Sequence, residues 1–356
     1  MPQEQQDRKA SGESLMQALV YHGPHEMRPE MVERPPAPGA GEVLVRVKAV
    51  GVCGSDVHGY TGISGRRTPG MVMGHEFAGI VAEAGEGVDS LQLGERVTVN
   101  PLRYCGDCDS CRVGKEQICR NRRTIGVNMG KMGGFAEYVV APASNCVPIA
   151  ASVTFAEGMM AEPLAVGLHA ARVAAPEARQ PVLVLGGGAI GLCVLLACLE
   201  MDAQPVYVTD VVPHKLEMIA RLGGNPLDGN NINLAALARA TTSGAGFPTI
   251  IDAVADSSTI KQALPALAPG GTLVLVGLAK PQAEFALYDL VTQERSMKGS
   301  YAFSADEFWE AAEWINQGRV DVRPLLEATC TLEEATDMFK RKAAGEIDAV
   351  KIVVEL

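Results

Sequence analysis

Two stretches of this chain carry side chains able to hold a metal and work with it. In Gly51–Gly79, GVCGSDVHGYTGISGRRTPGMVMGHEFAG, a thiol (Cys53) is followed by a hydroxyl (Ser55) and an imidazole (His58), and a second imidazole adjoins a carboxylate at His75-Glu76. Thiolate and imidazole together suit zinc, and a catalytic zinc takes three protein ligands and leaves a fourth position open. Cys53 and His75 are the first two ligand candidates. The plain alternative is a buried cysteine and a core histidine. Gly51, Gly54, Gly74 and Gly79 argue instead for tightly turned loops that present side chains. The second stretch, Cys105-x2-Cys108-x2-Cys111-x7-Cys119, sets four thiols among Gly, Asp and Ser. Four thiolates around tetrahedral zinc stabilise a loop with too little apolar material to fold alone, and such a closed site has no open position for chemistry.

A third pattern points to a nucleotide. Gly186-Gly187-Gly188-Ala189-Ile190-Gly191 fits G-x-G-x-x-G, weak by itself but here set between an apolar strand (PVLVLGGG) and a helical run (AIGLCVLLACLEM). Gly186 permits the turn, Gly188 lets a pyrophosphate approach the backbone, and Gly191 packs helix on strand. The N–H groups of the first helical turn, through Ala189 and Ile190, face the phosphates. Asp210, ending the next strand, would accept hydrogen bonds from the adenosine ribose and repel a 2′-phosphate, which favours NAD over NADP. Lys215 nearby is the one feature that would tolerate a phosphate.

The elements that must position these groups have two textures. From Met16 to about Pro148 short strands (MQALVY, EVLVRVKAV, EFAGIVAEAG, ERVTVN, GFAEYVVAP) alternate with Gly- and Pro-containing turns. Beyond Phe155 strands alternate with helices: PVYVTD with HKLEMIARLG, TIIDAVA with STIKQALPAL, then TLVLVGL, which implies βαβ units and a parallel sheet. Two helical segments (ADEFWEAAEWINQG, LEEATDMFKRKAAG) and a strand (AVKIVVEL) close the chain. The fold class is α/β, a β-rich part plus a doubly wound parallel sheet. A length of 356 residues, 47% of them hydrophobic, suits about two domains. A net charge of −11 makes nucleic acid and anionic membrane poor partners. No apolar run approaches the roughly 18 residues of a membrane span. The polar start MPQEQQDRKASGES reads as a disordered extension rather than a signal peptide. Nine cysteines without a secretion signal argue for metal rather than disulfides, and for the cytoplasm. Cys193 and Cys198 read as core; Cys146 and Cys330 show no partner motif.

In order, GVCGSDVH, GHEFAG, the Cys105–Cys119 lobe, GGFAEYV, AEPLAVGLHA and VLGGGAIG resemble the zinc-containing medium-chain dehydrogenases, over about residues 16–356. The resemblance implies a GroES-like catalytic domain (16–159 and 302–356) after an extension at 1–15, a Rossmann NAD-binding domain (160–301), and a homodimer or homotetramer joined through the Rossmann sheet edge. It implies zinc at Cys53 and His75, with Glu76 and Glu162 as ligands or as partners through zinc-bound water, the coordinated carboxylate being left open. It also places Val276, Leu278 and Ser300 beside the cofactor. Glutamate in Ala161-Glu162-Pro163 is similar to the polyol branch, where simple alcohol dehydrogenases carry cysteine. The implied reaction is hydride transfer between a secondary alcohol of polyol type and NAD, with a phosphosugar-alcohol or threonine dehydrogenase as alternatives and a non-catalytic NAD-binding protein as the rival class. Ser55 would take the proton, and His58 either relays it onward or stabilises its loop. Two departures count against sorbitol itself: Gly59 stands where sorbitol dehydrogenase has tyrosine, and Ala302 where it has a substrate-anchoring arginine. Arg66 and Arg67 form either a solvated basic turn or a phosphate clamp. His169, Trp309 and Trp314 read as packing.

Overall fold

The structure, a computed structural model, describes residues 15–278 and 280–356. The expected extension lies outside these residues except for Leu15, which already opens a strand. The chain divides into two compact units, residues up to Glu162 with Phe308–Leu356, and Pro163–Glu307.

In the first unit, valine-rich EVLVRVKAVG forms the strand Glu42–Gly51, its β-branched side chains packing on a pleated surface. It pairs antiparallel with Glu76–Ala84 on one side and Lys351–Glu355 on the other. These strands lie in a sheet ordered Cys146–Pro148, Arg96–Val99, Glu76–Ala84, Glu42–Gly51, Lys351–Glu355, Leu326–Thr331, with Tyr138–Pro142 also paired to Glu42–Gly51. Leu15–Gly23, Glu26–Glu33 and Met71–Val72 make a second, three-stranded sheet. Phe77, Val81, Val97, Phe135, Phe339 and Val354 share one core, each full burial of such a side chain stabilising by about 1.5–3 kcal/mol. Register then has a chemical consequence. Gly51 stands opposite Glu76 on one neighbour and Val353 on the other, so the last strand of the chain brings Lys351 to Glu76.

The second unit is a six-stranded sheet, parallel throughout, ordered Asn225–Asp228, Val206–Asp210, Val182–Leu185, Phe247–Asp252, Leu267–Leu275, Ser296–Gly299. Numbered by appearance this is the doubly wound order 3-2-1-4-5-6, whose switch point lies beside the first strand. That strand, Val182–Leu185, is buried at every position, as a strand covered on both faces must be. Cys193 and Cys198 are fully buried on the helix Ala189–Glu200. The edge strand Asn225–Asp228 is mostly exposed and has no apolar signature in the sequence. Among the described residues no helix is long and apolar enough to cross a membrane.

Candidate active site and metal centres

Cys53 caps the helix Gly54–Tyr60. Its Sγ accepts from the Ser55 amide and the Ser55 hydroxyl, both at 3.4 Å, while the Asp56 side chain returns to accept from the Cys53 amide at 3.3 Å. Glu76 opens the strand Glu76–Ala84 and His75 immediately precedes it. The turn before them requires glycine: Gly74 has φ +96°, and a Cβ there would meet the Phe135 amide nitrogen at 2.8 Å. The result is that ligand atoms of Cys53, His75 and Glu76 lie within 4.8 Å of one another. Thiolate, imidazole and carboxylate converging in this way fit zinc. Ser55 is exposed on the same turn and His58 half-buried, three residues apart and hence on one helix face.

Two partners of this cluster, Asp56 and Lys351, carry no signature in the sequence. Asp56 is fully buried. Its Oδ1 lies 3.4 Å from His75 Nδ1 and 3.3 Å from an Arg67 guanidinium nitrogen. His75 Nδ1 has no aligned hydrogen-bond partner, so Asp56 tethers the ring by charge rather than by a directed bond. Burial alone would lower the pKa of His75, yet Asp56 and the Cys53 sulfur outweigh it and hold it well above its usual value. Burial would raise Asp56, but His75 and Arg67 keep it below the ordinary carboxylate range. Glu76 is bound through both oxygens to the buried Lys351 ammonium, at 2.8 and 2.7 Å. Gly51 makes room for that carboxylate, since a Cβ there would meet Glu76 Oε2 at 2.2 Å.

Glu162, in the first turn of the helix Ala161–Ala174, is buried but does not join the group that converges within 4.8 Å. Burial first, and then Glu76 and Asp56 against the opposing pull of His75 and Lys351, push its pKa up to about 7. Arg67 differs from both sequence readings. It is neither solvated nor free for a phosphate, because its side chain is buried against Asp56; Arg66 is exposed.

The cysteine lobe is assembled as its spacing suggests. Cys105, Cys108, Cys111 and Cys119 converge, with Sγ–Sγ distances of 3.9 Å (105–111), 3.5 Å (108–111) and 3.5 Å (119–105). A tetrahedral zinc with Zn–S near 2.3 Å has S–S edges of about 3.8 Å, so the donors fit. All nine cysteines are free thiols.

At the glycine-rich turn, Gly186 has φ +96°, and a Cβ on Gly191 would lie 1.8 Å from the Gly186 carbonyl oxygen. Gly188 caps the helix Ala189–Glu200 with no side-chain partner for its first amides, and the space where its Cβ would stand is open. An open helix start without a side-chain cap fits a pyrophosphate. Asp210 accepts from the Gly187 amide at 2.8 Å and from the Val211 and Val212 amides at 2.8 and 3.0 Å, which fixes the carboxylate at the strand end. Val276 and Ser300 follow the neighbouring strand ends, both buried, and the Ser300 hydroxyl has no partner. Leu278 is exposed, and Lys215 is half-buried in the helix Pro213–Arg221. Elsewhere, His169 is buried with Nδ1 2.9 Å from Glu307 Oε2. Trp314 is buried as expected, but Trp309 is 46% exposed and is not a core residue.

Known dehydrogenases match the chain over most of its length. The alcohol dehydrogenase GroES-like domain matches residues 39–151 and the zinc-binding dehydrogenase domain residues 189–317. Over 333 residues the chain is 32% identical to L-idonate 5-dehydrogenase of Vitis vinifera, covering 90% of each protein. Over 351 residues it is 30% identical to L-threonine 3-dehydrogenase of Rhizobium johnstonii, covering 96% of this chain and 99% of that one. The solved structure of an alcohol dehydrogenase (rspB) from Escherichia coli CFT073 complexed with NADH superposes with a TM-score of 0.87 at 30% identity, over 96% of this chain and 100% of the other.

Proposed function

This chain belongs to the zinc-containing medium-chain dehydrogenases, and we propose that it oxidises a secondary alcohol of polyol or sugar-acid type, or reduces the matching ketone, with NAD. The observation that carries the reading is the convergence of Cys53, His75 and Glu76 beside an exposed serine, on a chain similar over most of its length to an L-idonate 5-dehydrogenase. When bound, zinc supplies Lewis acidity that lowers the pKa of the substrate hydroxyl, and NAD accepts the hydride. The residues of the chain do the rest. Cys53 and His75 hold the metal. Glu76, charge-balanced by Lys351, and Glu162 would serve as the carboxylate ligand or as its partner through zinc-bound water. Ser55 takes the hydroxyl proton, and the cofactor ribose followed by His58 would carry it to water. Gly186, Gly188, Ala189, Ile190 and Gly191 cradle the pyrophosphate. Asp210 receives the ribose, with Lys215 beside it, and Val276, Leu278 and Ser300 line the cofactor. Cys105, Cys108, Cys111 and Cys119 hold the structural zinc.

A second reading, oxidation of L-threonine, is supported by the full-length similarity to a threonine 3-dehydrogenase. The deciding assay follows NADH absorbance on a panel of polyols, sugar acids, polyol phosphates and L-threonine, with and without a zinc chelator. Chelator-sensitive turnover of a polyol or sugar acid supports the first reading; turnover of threonine alone replaces it. Ser55→Ala should retain its zinc and lose most turnover, and full activity in that variant would remove the relay. We further propose a cytoplasmic homo-oligomer. Leu287, Tyr288 and Val291 expose apolar surface on the helix Leu287–Val291 just before the edge strand Ser296–Gly299, as a subunit contact would need.

A further inference from the structure

We propose that Arg67, seated in the hollow left by Gly59, is a positioning residue that acts through Asp56 on the zinc ligands Cys53 and His75. The inference rests on the assignment of zinc to those two residues. Arginine is almost never buried without a partner, yet the Arg67 side chain is 2% exposed, and its charged partner is Asp56 Oδ1 at 3.3 Å. Its Nε lies 3.1 Å from Met73 Sδ, a weak acceptor that cannot balance a guanidinium. Asp56 in turn touches both ligand residues, through the Cys53 amide at 3.3 Å and His75 Nδ1 at 3.4 Å. One carboxylate therefore reaches both ligands, and one cation is set on that carboxylate.

Gly59 gives independent support. It lies within the helix Gly54–Tyr60, where glycine costs about 1 kcal/mol relative to alanine, and it is not among the glycines with positive φ. Its backbone does not require glycine. Space does: a Cβ at Gly59 would meet Arg67 Cγ at 2.8 Å, and Arg67 Nε and Met73 Sδ at 3.0 Å. The bare helix face is what lets the arginine stem pass inward to Asp56. Charge agrees. With zinc in place, the Cys53 thiolate, Asp56, Glu76 and Glu162 are four negative groups, matched by a dication, Lys351 and Arg67. Without Arg67, Asp56 loses the cation set on its Oδ1, and its hold on His75 and Cys53 changes. Outer partners of metal ligands typically contribute 10–100-fold to metal affinity.

The test compares wild type, Arg67→Met, Arg67→Lys, Asp56→Asn and the Arg67→Met/Asp56→Asn double variant, each loaded with zinc and titrated with a chromophoric chelator. The Cys105–Cys119 zinc serves as an internal control. Cobalt substituted at the Cys53 site reports ligand geometry through its visible spectrum. Arg67→Met should weaken the Cys53-site metal at least tenfold and shift the cobalt bands, with the lobe zinc unmoved. Arg67→Lys should recover part of the affinity, and the double variant should be no weaker than Asp56→Asn alone, since the two act in series. Unchanged Cys53-site affinity and cobalt spectrum in folded Arg67→Met, or additive losses in the double variant, would overturn the role of Arg67. Should Arg67→Met not fold, Gly59→Ala displaces the stem while keeping the charge. It should weaken the same site, and wild-type affinity there would overturn the proposal. Wild type that binds zinc only at the cysteine lobe would instead overturn the Cys53 assignment itself, a result distinct from the failure of Arg67.

Discussion

Replacing Lys351 by methionine removes one partner of a pair that is closed to water on both sides, Lys351 at 2% and Glu76 at 1% side-chain exposure. Both Glu76 oxygens depend on this ammonium, at 2.8 and 2.7 Å. Breaking a buried pair on one side leaves a stranded charge and costs about 3–5 kcal/mol, whereas replacing both partners with neutral groups is often close to neutral. For a domain of this size each kcal/mol moves the melting temperature by about 2–4 °C, so Lys351→Met should lower it by about 6–20 °C. Glu76→Gln/Lys351→Met should recover most of that loss. The assay is thermal and urea unfolding of wild type, the two single variants and the double variant, with the Cys53-site metal present and removed. The penalty should be larger without metal, because a bound cation can take over the stranded carboxylate. A Lys351→Met loss below about 1 kcal/mol, or a double variant as unstable as the two singles added together, would refute the reasoning.

Three other outcomes are expected. Folding raises the pKa of Glu162 from 4.5 to about 7 and lifts His75 well above its usual value. A raised folded pKa gives stability that is present below the unfolded pKa and is lost as pH rises through the folded one. Metal-free protein should therefore lose stability between pH 4.5 and about 7, by ~3 kcal/mol from Glu162 alone. Zinc-loaded protein, with both groups already deprotonated, should lack that slope in denaturation midpoints followed against pH, and an equal slope in both forms would remove these groups as its source. Cys105→Ser should lose one zinc per chain by elemental analysis and lower the melting temperature, while the metal at Cys53 remains; loss of both metals together would contradict two independent sites. Asp210→Ala should raise the KM for NAD about tenfold and leave that for NADP little changed, since only the unphosphorylated ribose uses the carboxylate. An equal rise for both cofactors would instead mean that Asp210 serves mainly to fix the Gly187, Val211 and Val212 amides.

The features legible in the sequence were those whose chemistry is local. Cys105, Cys108, Cys111 and Cys119 declare a metal because thiol spacing and polar filler both belong to one short segment. Gly186, Gly188 and Gly191 declare a dinucleotide because the turn, the open cradle and the helix follow one another along the chain. The βα alternation gave the parallel sheet for the same reason, though its mostly exposed edge strand Asn225–Asp228 lacks the apolar run that marks its neighbours. What escaped was set by register and depth. Lys351 meets Glu76 across 275 positions because two antiparallel pairings place both beside Gly51, and no local pattern encodes that. The available hint was a lysine inside the apolar run AVKIVVEL, where a charge must find a partner or shift its proton. Asp56 stood in plain view in GVCGSDVH, but an aspartate one turn into a helix is as often a cap as an anchor. Here it is both, since it caps through the Cys53 amide and anchors His75. Arg67 read as solvated because basic residues in a loop usually are, and only the missing side chain at Gly59 reveals the space it fills. In this molecule the ligand candidates could be named from their neighbours in the chain, whereas the charges packed against them are neighbours only in the fold.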